Sequence, residues 1–325
     1  VVAQIAIGVV VASSAGVLGR SLLALLDIDP GFRAAHVVTA ELPLPAFTGD
    51  SVARGAAFYD AVLARVRAIP GVTHAAVGAS VPFAGGRETV GPIDVESRPV
   101  VGGADRANIH TNPVTPEFLR TLGVPLLAGR ALAAGDRPGA PPVALIDAAA
   151  ARTFFPHVRD VVGQRVKFVY LKEWITIVGV VGDVRRDSLV AAPAPSLYLP
   201  LAQRVPPAAT LLVRAERDAA SLAPTLRAAV RDVDATVPLG PVRALDAAVA
   251  ESAAQRRFVV QLLAAFAAAA VALAVVGVYG VVAFTVARRT RELGVRGALG
   301  ASPAMLRAHV LRAGRRYAAL GVTLG

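Results

Sequence analysis

The feature that most constrains this chain is an apolar run from Phe258 to Val286, FVVQLLAAFAAAAVALAVVGVYGVVAFTV, in which Gln261 is the only strongly polar residue. A bilayer core about 30 Å thick needs about 20 such residues, and these 29 residues would form a helix of about 43 Å. The run therefore predicts a membrane span over 258–286 that projects beyond the bilayer. The preceding residues have helix-forming composition, with no proline after Pro241. This predicts one continuous helix from near Leu245.

Two other segments are similarly apolar. Residues 1–18 continue through Arg20 into SLLALL, which predicts a first membrane helix over residues 1–26. A signal peptide is the alternative, because ASSAG resembles a small-residue cleavage site. The absence of an initial methionine and of a charged leading segment favours a span in a fragment of a longer protein. Residues 317–325, YAALGVTLG, predict the start of a third, truncated span.

The excess positive charge lies in one place. The net charge is +11, and residues 287–316 contain eight arginines against one acid, Glu292. Short basic loops stay in the cytoplasm, whereas long domains cross the membrane largely regardless of charge. We therefore predict a cytoplasmic loop over 287–316 and an extracytoplasmic domain over 27–257. No aromatic-rich basic face accompanies the arginines, so we expect no nucleic acid as a partner.

The predicted domain has α/β character, so the fold class is α-helical transmembrane spans with a large α/β (α+β) extracytoplasmic domain. Residues 36–44 are typical of a strand, 51–72 of a helix and 72–80 of a second strand. The same order returns late in the domain, as a strand over 209–216, a helix over 219–238 and a strand near Val242. We interpret the two β-α-β units as one split, ferredoxin-like (porter-like) subdomain, into which a strand-rich subdomain over about 83–207 is inserted.

Local patterns refine this prediction. Five residues should form the apolar stripe of the first helix of the domain: Ala57, Tyr59, Val62, Leu63 and Val66. A short helix should begin near Thr115 and Pro116, with the threonine as N-cap and the proline in the first turn. The β-branched runs QRVKFV and WITIVGVVGDVRR predict buried strands.

The sequence offers no catalytic motif. It contains no phosphate-binding loop and no nucleophile motif, and its five histidines lack metal-ligand spacing. With no cysteine, disulfides and thiolate metal sites are excluded. The charged residues Asp183, Arg185, Arg186 and Asp187 indicate a turn at a strand end. We therefore expect no enzyme, no catalytic residue, no cofactor and no metal; a membrane-tethered hydrolase would require a buried cluster of histidine, acid and nucleophile.

Several stretches are recognisable. The loop RTRELGVRGALGA closely resembles the cytoplasmic loop of ABC-transporter permeases of the MacB/FtsX type. The stretches TPEFLRTLGVPLLAGR, DRPGAPPVALIDAAAARTFFP, VGQRVKF and IVGVVGDVRRDSL are similar to the periplasmic core domain of that group. The chain is most similar to the duplicated permeases of acidobacteria, and the resemblance covers nearly its whole length.

The resemblance implies a multi-pass protein of the bacterial inner membrane whose large domain lies in the periplasm. It implies mechanotransmission: a cytoplasmic ABC ATPase subunit drives conformational change of the periplasmic domain for efflux or export. It also implies a dimer or an internally duplicated chain, and a periplasmic protein partner. The sequence departs from the family in lacking an ATPase and in placing Gly297 where a bulkier apolar residue is usual.

The basic loop is the expected site of ATPase docking. Its residues can form a short interfacial helix with Gly300 near its end, followed by a second helix capped by Ser302 and Pro303. With the resemblance, we expect docking through Arg291, Glu292, Gly294, Arg296 and Gly300. The alternative is that the arginines only fix topology and bind anionic lipid. For the whole protein, the alternative is a non-transporting scaffold or regulator that binds a periplasmic cell-wall enzyme or lipoprotein.

Overall fold

The computed structural model describes residues 29–44, 51–86, 88–97, 106, 108–186, 188–189, 191–216 and 218–288, together with residues 10, 13–14 and 16–17. The chain divides into two compact units, one formed by Ile28–Ala253 and the other by Val1–Asp27 with Ala254–Gly325. The five described residues of the predicted first span are helical.

The described residues of the chain form both helices and strands. The helices are α1 (Ser51–Arg67), α2 (Phe118–Leu122), α3 (Ala148–Phe154), α4 (Ala219–Arg231) and α5 (Leu245–Arg288). The strands are β1 (Val37–Pro43), β2 (Val72–Gly78), β3 (Ser80–Val81), β4 (Gly85–Gly86), β5 (Thr89–Val95), β6 (Asn108–Val114), β7 (Leu126–Gly129), β8 (Val143–Asp147), β9 (Arg165–Phe168), β10 (Ile175–Val181), β11 (Ser196–Pro200), β12 (Ala208–Ala215) and β13 (Arg243–Ala244).

The first and last strands of the Ile28–Ala253 unit form one antiparallel sheet in the order β2-β12-β1-β13. In the chain they occur as β1-α1-β2 and, after a long insertion, β12-α4-β13. This is the split β-α-β arrangement of a ferredoxin-like subdomain. The prediction from the two similar sequence patterns is confirmed.

Helices α1 and α4 cover one face of this sheet and share one apolar cluster with it. Tyr59, Val62, Leu63 and Val66 are buried as predicted, but Ala57 is exposed and Phe58 is buried instead. At 3.6 residues per turn, Phe58 lies one turn before Val62, whereas Ala57 points away from the stripe. The inclusion of Ala57 in the stripe was therefore wrong.

The inserted residues form a closed barrel, which was not predicted beyond its richness in strands. Its six strands follow the circular order β6-β11-β8-β10-β9-β5, and β5 returns to pair with β6. The pairs β6–β11 and β8–β10 are parallel, and the others are antiparallel. The barrel interior and α3 form a separate apolar cluster. Gly78 of β2 pairs with Val114 of β6, which joins the ferredoxin-like sheet to the barrel.

Three predicted helix boundaries were wrong. Helix α1 ends at Arg67 and not at 72, because Pro70 disfavours helical backbone in the residue before it. Helix α2 begins at Phe118, because Thr115 turns its hydroxyl to the backbone of Val77, donating to the carbonyl at 3.2 Å and accepting from the amide at 2.9 Å. Helix α4 ends at Arg231 and not at 238. The Asp234 carboxylate accepts hydrogen bonds from the amide and the hydroxyl of Thr236, which stabilises a turn in place of the helix.

Helix α5 begins at Leu245, as predicted, and includes the apolar run 258–286. Among the residues that the structure describes, no helix combines the length and the apolar character needed to cross a membrane. The assignment of residues 1–26, 258–286 and 317–325 to spans thus stays a prediction. Residues 289–325, which hold most of the predicted cytoplasmic loop, lie outside the described residues.

Candidate functional site

The five residues predicted to dock an ATPase all lie outside the described residues, so their prediction stays open: Arg291, Glu292, Gly294, Arg296 and Gly300. The described domain offers a different candidate site. It is the region where the two ends of the domain meet both of its subdomains.

An apolar cluster, which we call the junction core, joins these parts. It comprises Phe32, Val37, Ala76, Val81, Val114, Phe118, Leu119, Leu122, Val124, Leu132, Val143, Leu145, Val181, Val184, Tyr198, Leu212 and Leu245. Ala76 and Leu212 belong to the ferredoxin-like sheet, and Leu145 and Tyr198 belong to barrel strands. A close-packed cluster of this kind has few voids and transmits strain between the elements that share it. The two subdomains are therefore held by one common core.

The segment that enters the domain is part of this core. We call residues 29–36 the entry segment; its Phe32 is buried in the junction core. The carbonyl of Pro30 accepts a hydrogen bond from the amide of Arg185 at 2.9 Å, just after β10. Gly31 has a φ of 83°, and a Cβ at this position would lie 1.8 Å from the carbonyl oxygen of Asp183. The chain therefore requires glycine at this close approach to the barrel.

The segment that leaves the domain meets the same core. Strand β13 pairs with β1, with Val38 opposite Ala244, so the entering and leaving strands are neighbours. Leu245, the first residue of α5, is completely buried in the junction core, and Val249 packs against it one turn later. Both ends of the domain are thus anchored at one place.

A polar network borders the junction core. The Arg186 guanidinium contacts the Glu88 carboxylate at 3.2 Å and donates to the Ser196 hydroxyl at 3.0 Å. The Asp147 carboxylate accepts from the amides of Ala150 and Ser196 at 2.7 and 3.1 Å. Burial raises the pKa of Asp147, and the nearby Asp183 carboxylate adds to this effect. These contacts connect β8, β11 and the segment after β10.

The charged residues after β10 make structural contacts within the domain. The Asp183 carboxylate accepts from the amide of Ala149 at 2.6 Å and pairs with Arg152 at 2.7 Å. It thereby binds the N-terminal turn of α3, where a negative charge is favourable. Asp187 lies outside the described residues. Asp183 therefore contacts α3, whereas Arg186 contacts Glu88 and Ser196.

The network does not supply the cluster that a hydrolase would require. Nδ1 of His110 lies 3.0 Å from the Glu88 carboxylate. The buried Ser196 hydroxyl instead donates to the Ala194 carbonyl at 2.9 Å and accepts from Arg186. Among the described residues, no hydroxyl hydrogen-bonds to His110. The same part of the chain contains no group of three or more side chains suited to a metal ion.

A large cleft opens on the Ile28–Ala253 unit, with a volume of about 1490 Å³. Tyr170 and Trp174 line it on the barrel side, and the residues from Gln203 to Pro207 line it at the end of the insertion. The Tyr170 ring is stacked on Phe168 with 5.4 Å between their centroids, and Tyr170 is 60% exposed. Exposed aromatic residues in a cleft are typical of binding surfaces.

Comparisons with known proteins identify one family profile and several similar solved structures. Residues 2–236 match the profile of the family described as the MacB-like periplasmic core domain. The periplasmic region of MacB from Actinobacillus actinomycetemcomitans is 15% identical, with a TM-score of 0.45 and a match over 69% of this chain and 95% of that chain. The extracellular domain of the noncanonic ABC-type transporter YknZ from Gram-positive bacteria is 12% identical, with a TM-score of 0.41 and a match over 62% and 98%. None of the curated proteins matches significantly.

The family profile carries the assignment. It matches well over half of the chain, from the predicted first span through the barrel to the end of α4. The chain belongs to the MacB-like periplasmic core domain family and is a permease-type protein of ABC transporters.

Proposed function

We propose that this protein is the permease subunit of a MacB/FtsX-type ABC transporter of the bacterial inner membrane. It couples ATP hydrolysis by a cytoplasmic ATPase to conformational change of its periplasmic domain, for efflux or export. The observation that carries the proposal is the junction core, which buries Phe32 of the entering segment and Leu245 of the leaving helix together.

The mechanism requires displacement to pass from the membrane into the domain. In this proposal, residues 1–26, 258–286 and 317–325 are membrane spans, and 287–316 is the cytoplasmic loop that receives the ATPase. Membership of the family implies such a partner in general. Helix α5 begins at Leu245 and continues without a break through the apolar run that contains the proposed span. Because packed cores move as units, displacement of α5 would reach the barrel and the ferredoxin-like sheet together.

The chain itself performs no chemistry in this proposal. Glu88, Asp147 and Ser196, which border the junction core, are each engaged in structural contacts. The energy comes from nucleotide hydrolysis on the partner. A dimer or an internally duplicated chain would supply the second permease half.

Charge reversal in the basic loop tests the docking part of the proposal. In the full-length protein, Arg291→Glu and Arg296→Glu should each lower co-purification of the ATPase by at least about tenfold, because like charges across an interface cost several kcal/mol. Arg307→Glu, in the same loop, is the matched control and should retain the ATPase. Equal loss in all three variants would show that only the total charge of the loop matters.

The cleft favours a second candidate function, a non-transporting scaffold that binds a periplasmic enzyme or lipoprotein. Its exposed Tyr170 stacks on Phe168 and would offer a rigid aromatic contact to such a partner. The two functions differ in what ATP hydrolysis does. A transporter moves substrate as ATP is consumed, whereas a scaffold changes the activity of its periplasmic partner with no substrate moved.

A further inference from the structure

The end of helix α2 depends on residues far away in the sequence. A helix leaves its last four carbonyls without partners inside the helix. In α2, the amides of Val124 and Gly123 bond the carbonyls of Leu119 and Arg120 at 2.9 and 3.0 Å. The other two carbonyls accept from elsewhere: Leu122 from the amide of Arg33 at 2.7 Å, and Thr121 from the Nε of Arg214 at 2.9 Å.

The same guanidinium also holds the entry segment. Its two terminal nitrogens donate to the carbonyls of Ala35 and Arg33 at 2.8 and 2.7 Å. Arg214 thus bridges three carbonyls that belong to two separate pieces of chain. It stands on β12, which pairs with β1 on one side and with β2 on the other. Arg214 therefore lies near the end of an inner strand of the ferredoxin-like sheet.

Arginine is suited to this task in a way that lysine is not. Its planar guanidinium presents five donors in a fixed fork, whereas the lysine ammonium is a compact group on a flexible stem. Burial lowers the pKa of Arg214, with a further contribution from the charge of Arg33. Removing the guanidinium would take this donor from the carbonyls of Arg33, Ala35 and Thr121, where the chain enters the domain.

The opposite end of the entry segment is bound to the barrel. Pro30 bonds to Arg185, and Gly31 lies directly against the backbone of Asp183. The segment of eight residues therefore touches the barrel at its start and the sheet and α2 at its end. The entry segment thus connects the two subdomains, and we call it the strap below.

We propose that Arg214 is a positioning residue that locks this strap to β12 and α2, so that displacement of the entry segment moves the sheet and the barrel together. The proposal rests on the proposed permease function for the source of that displacement. The locking itself is independent of any ATPase. It can therefore be measured separately.

These 325 residues contain no cysteine, so engineered cysteines would be the only labelling sites in this part of the protein. We would attach spin labels to Ala35→Cys on the strap and Ala64→Cys, an exposed position of α1, in the full-length protein in lipid nanodiscs. With Arg214 present, we expect one narrow distance distribution without nucleotide. Arg214→Met should broaden it by about twofold and Arg214→Lys by less, because lysine can satisfy fewer of the three carbonyls at once.

Arg65→Met is the matched control. Arg65 also lies in the ferredoxin-like subdomain, but its pair with Asp232 is exposed, at 3.4 Å. It should leave the width unchanged. Equal widths in Arg214→Met and Arg65→Met would overturn the proposal. If Arg214→Met fails to fold, Gly31→Ala gives a second reading, since it should release the barrel end of the strap and broaden the same distribution with Arg214 intact.

A second label pair separates this proposal from the proposed function. Labels at Ala64→Cys and at Lys172→Cys, on the β9–β10 turn, measure the distance between the ferredoxin-like subdomain and the barrel in the presence of the ATPase and ATP. In the parent protein this distance should stay constant when ATP is added, because the sheet and the barrel move together, whereas in Arg214→Met it should shift while ATP turnover continues. A shift in the parent, or a constant distance in Arg214→Met during turnover, would contradict the proposal. If no ATPase co-purifies with the parent, the permease function fails, and the nucleotide-free widths alone decide whether Arg214 locks the strap.

Discussion

Asp147 is completely buried, yet only one of its carboxylate oxygens has hydrogen-bond partners among the described residues. That oxygen accepts from the amides of Ala150 and Ser196, so it caps α3 and joins it to β11. Asp147→Ala should lower the free energy of unfolding by about 2 kcal/mol, because it removes an N-cap and leaves two buried amides without partners. Asp147→Asn keeps the accepting oxygen and should cost less than about 1 kcal/mol. Urea denaturation of both variants measures the difference.

The pH dependence of these variants has a definite sign. Burial raises the pKa of Asp147, so the folded state holds this proton more tightly than the unfolded chain. The resulting stabilisation is complete below the unfolded-state pKa and is lost as pH rises through the raised folded-state pKa. Relative to the parent protein, Asp147→Asn should therefore gain stability on going from acid to neutral pH. A constant difference across this range would contradict the assignment.

At the scale of elements, hydrophobic periodicity was sufficient to predict the ferredoxin-like subdomain. The patterns around Val62 and Leu226 repeat every three to four residues, and they predicted α1, α4 and the strands that flank them. Strand β11 was missed, because SLYLP is buried at all five positions and so has no alternation. The closure of the barrel depends on pairing β6 with β11, whose paired residues lie 86 positions apart in the chain. A pairing between such distant strands cannot be predicted from the pattern of neighbouring residues.

The start of α5 provides a test at the same scale. Leu245→Ala should destabilise the domain by about 2–5 kcal/mol, because it opens a cavity in the junction core where the side chain is completely buried. Leu126→Ala makes the same chemical change at a strand position that is 45% exposed, and it should cost less than about 1 kcal/mol. Thermal unfolding compares the two. Equal effects would mean that Leu245 is not anchored in the core.

For the whole molecule, the central claim is that a domain on one side of a membrane is moved by a loop on the other side. The sequence supplied both parts of this claim, the domain at 27–257 and the basic loop at 287–316. The anchoring of both domain ends in one core could not be read from the sequence. Phe32, Leu145 and Leu245 lie far apart in the chain and resemble any other apolar residue before the fold brings them together.

Labelling with a membrane-impermeant maleimide tests this claim most directly, since the chain has no cysteine of its own. Tyr170→Cys, at an exposed position of the barrel, should react in intact spheroplasts. Ser302→Cys, in the basic loop, should react only after detergent opens the membrane. The opposite pattern, or reaction of both cysteines in intact spheroplasts, would contradict the proposed function.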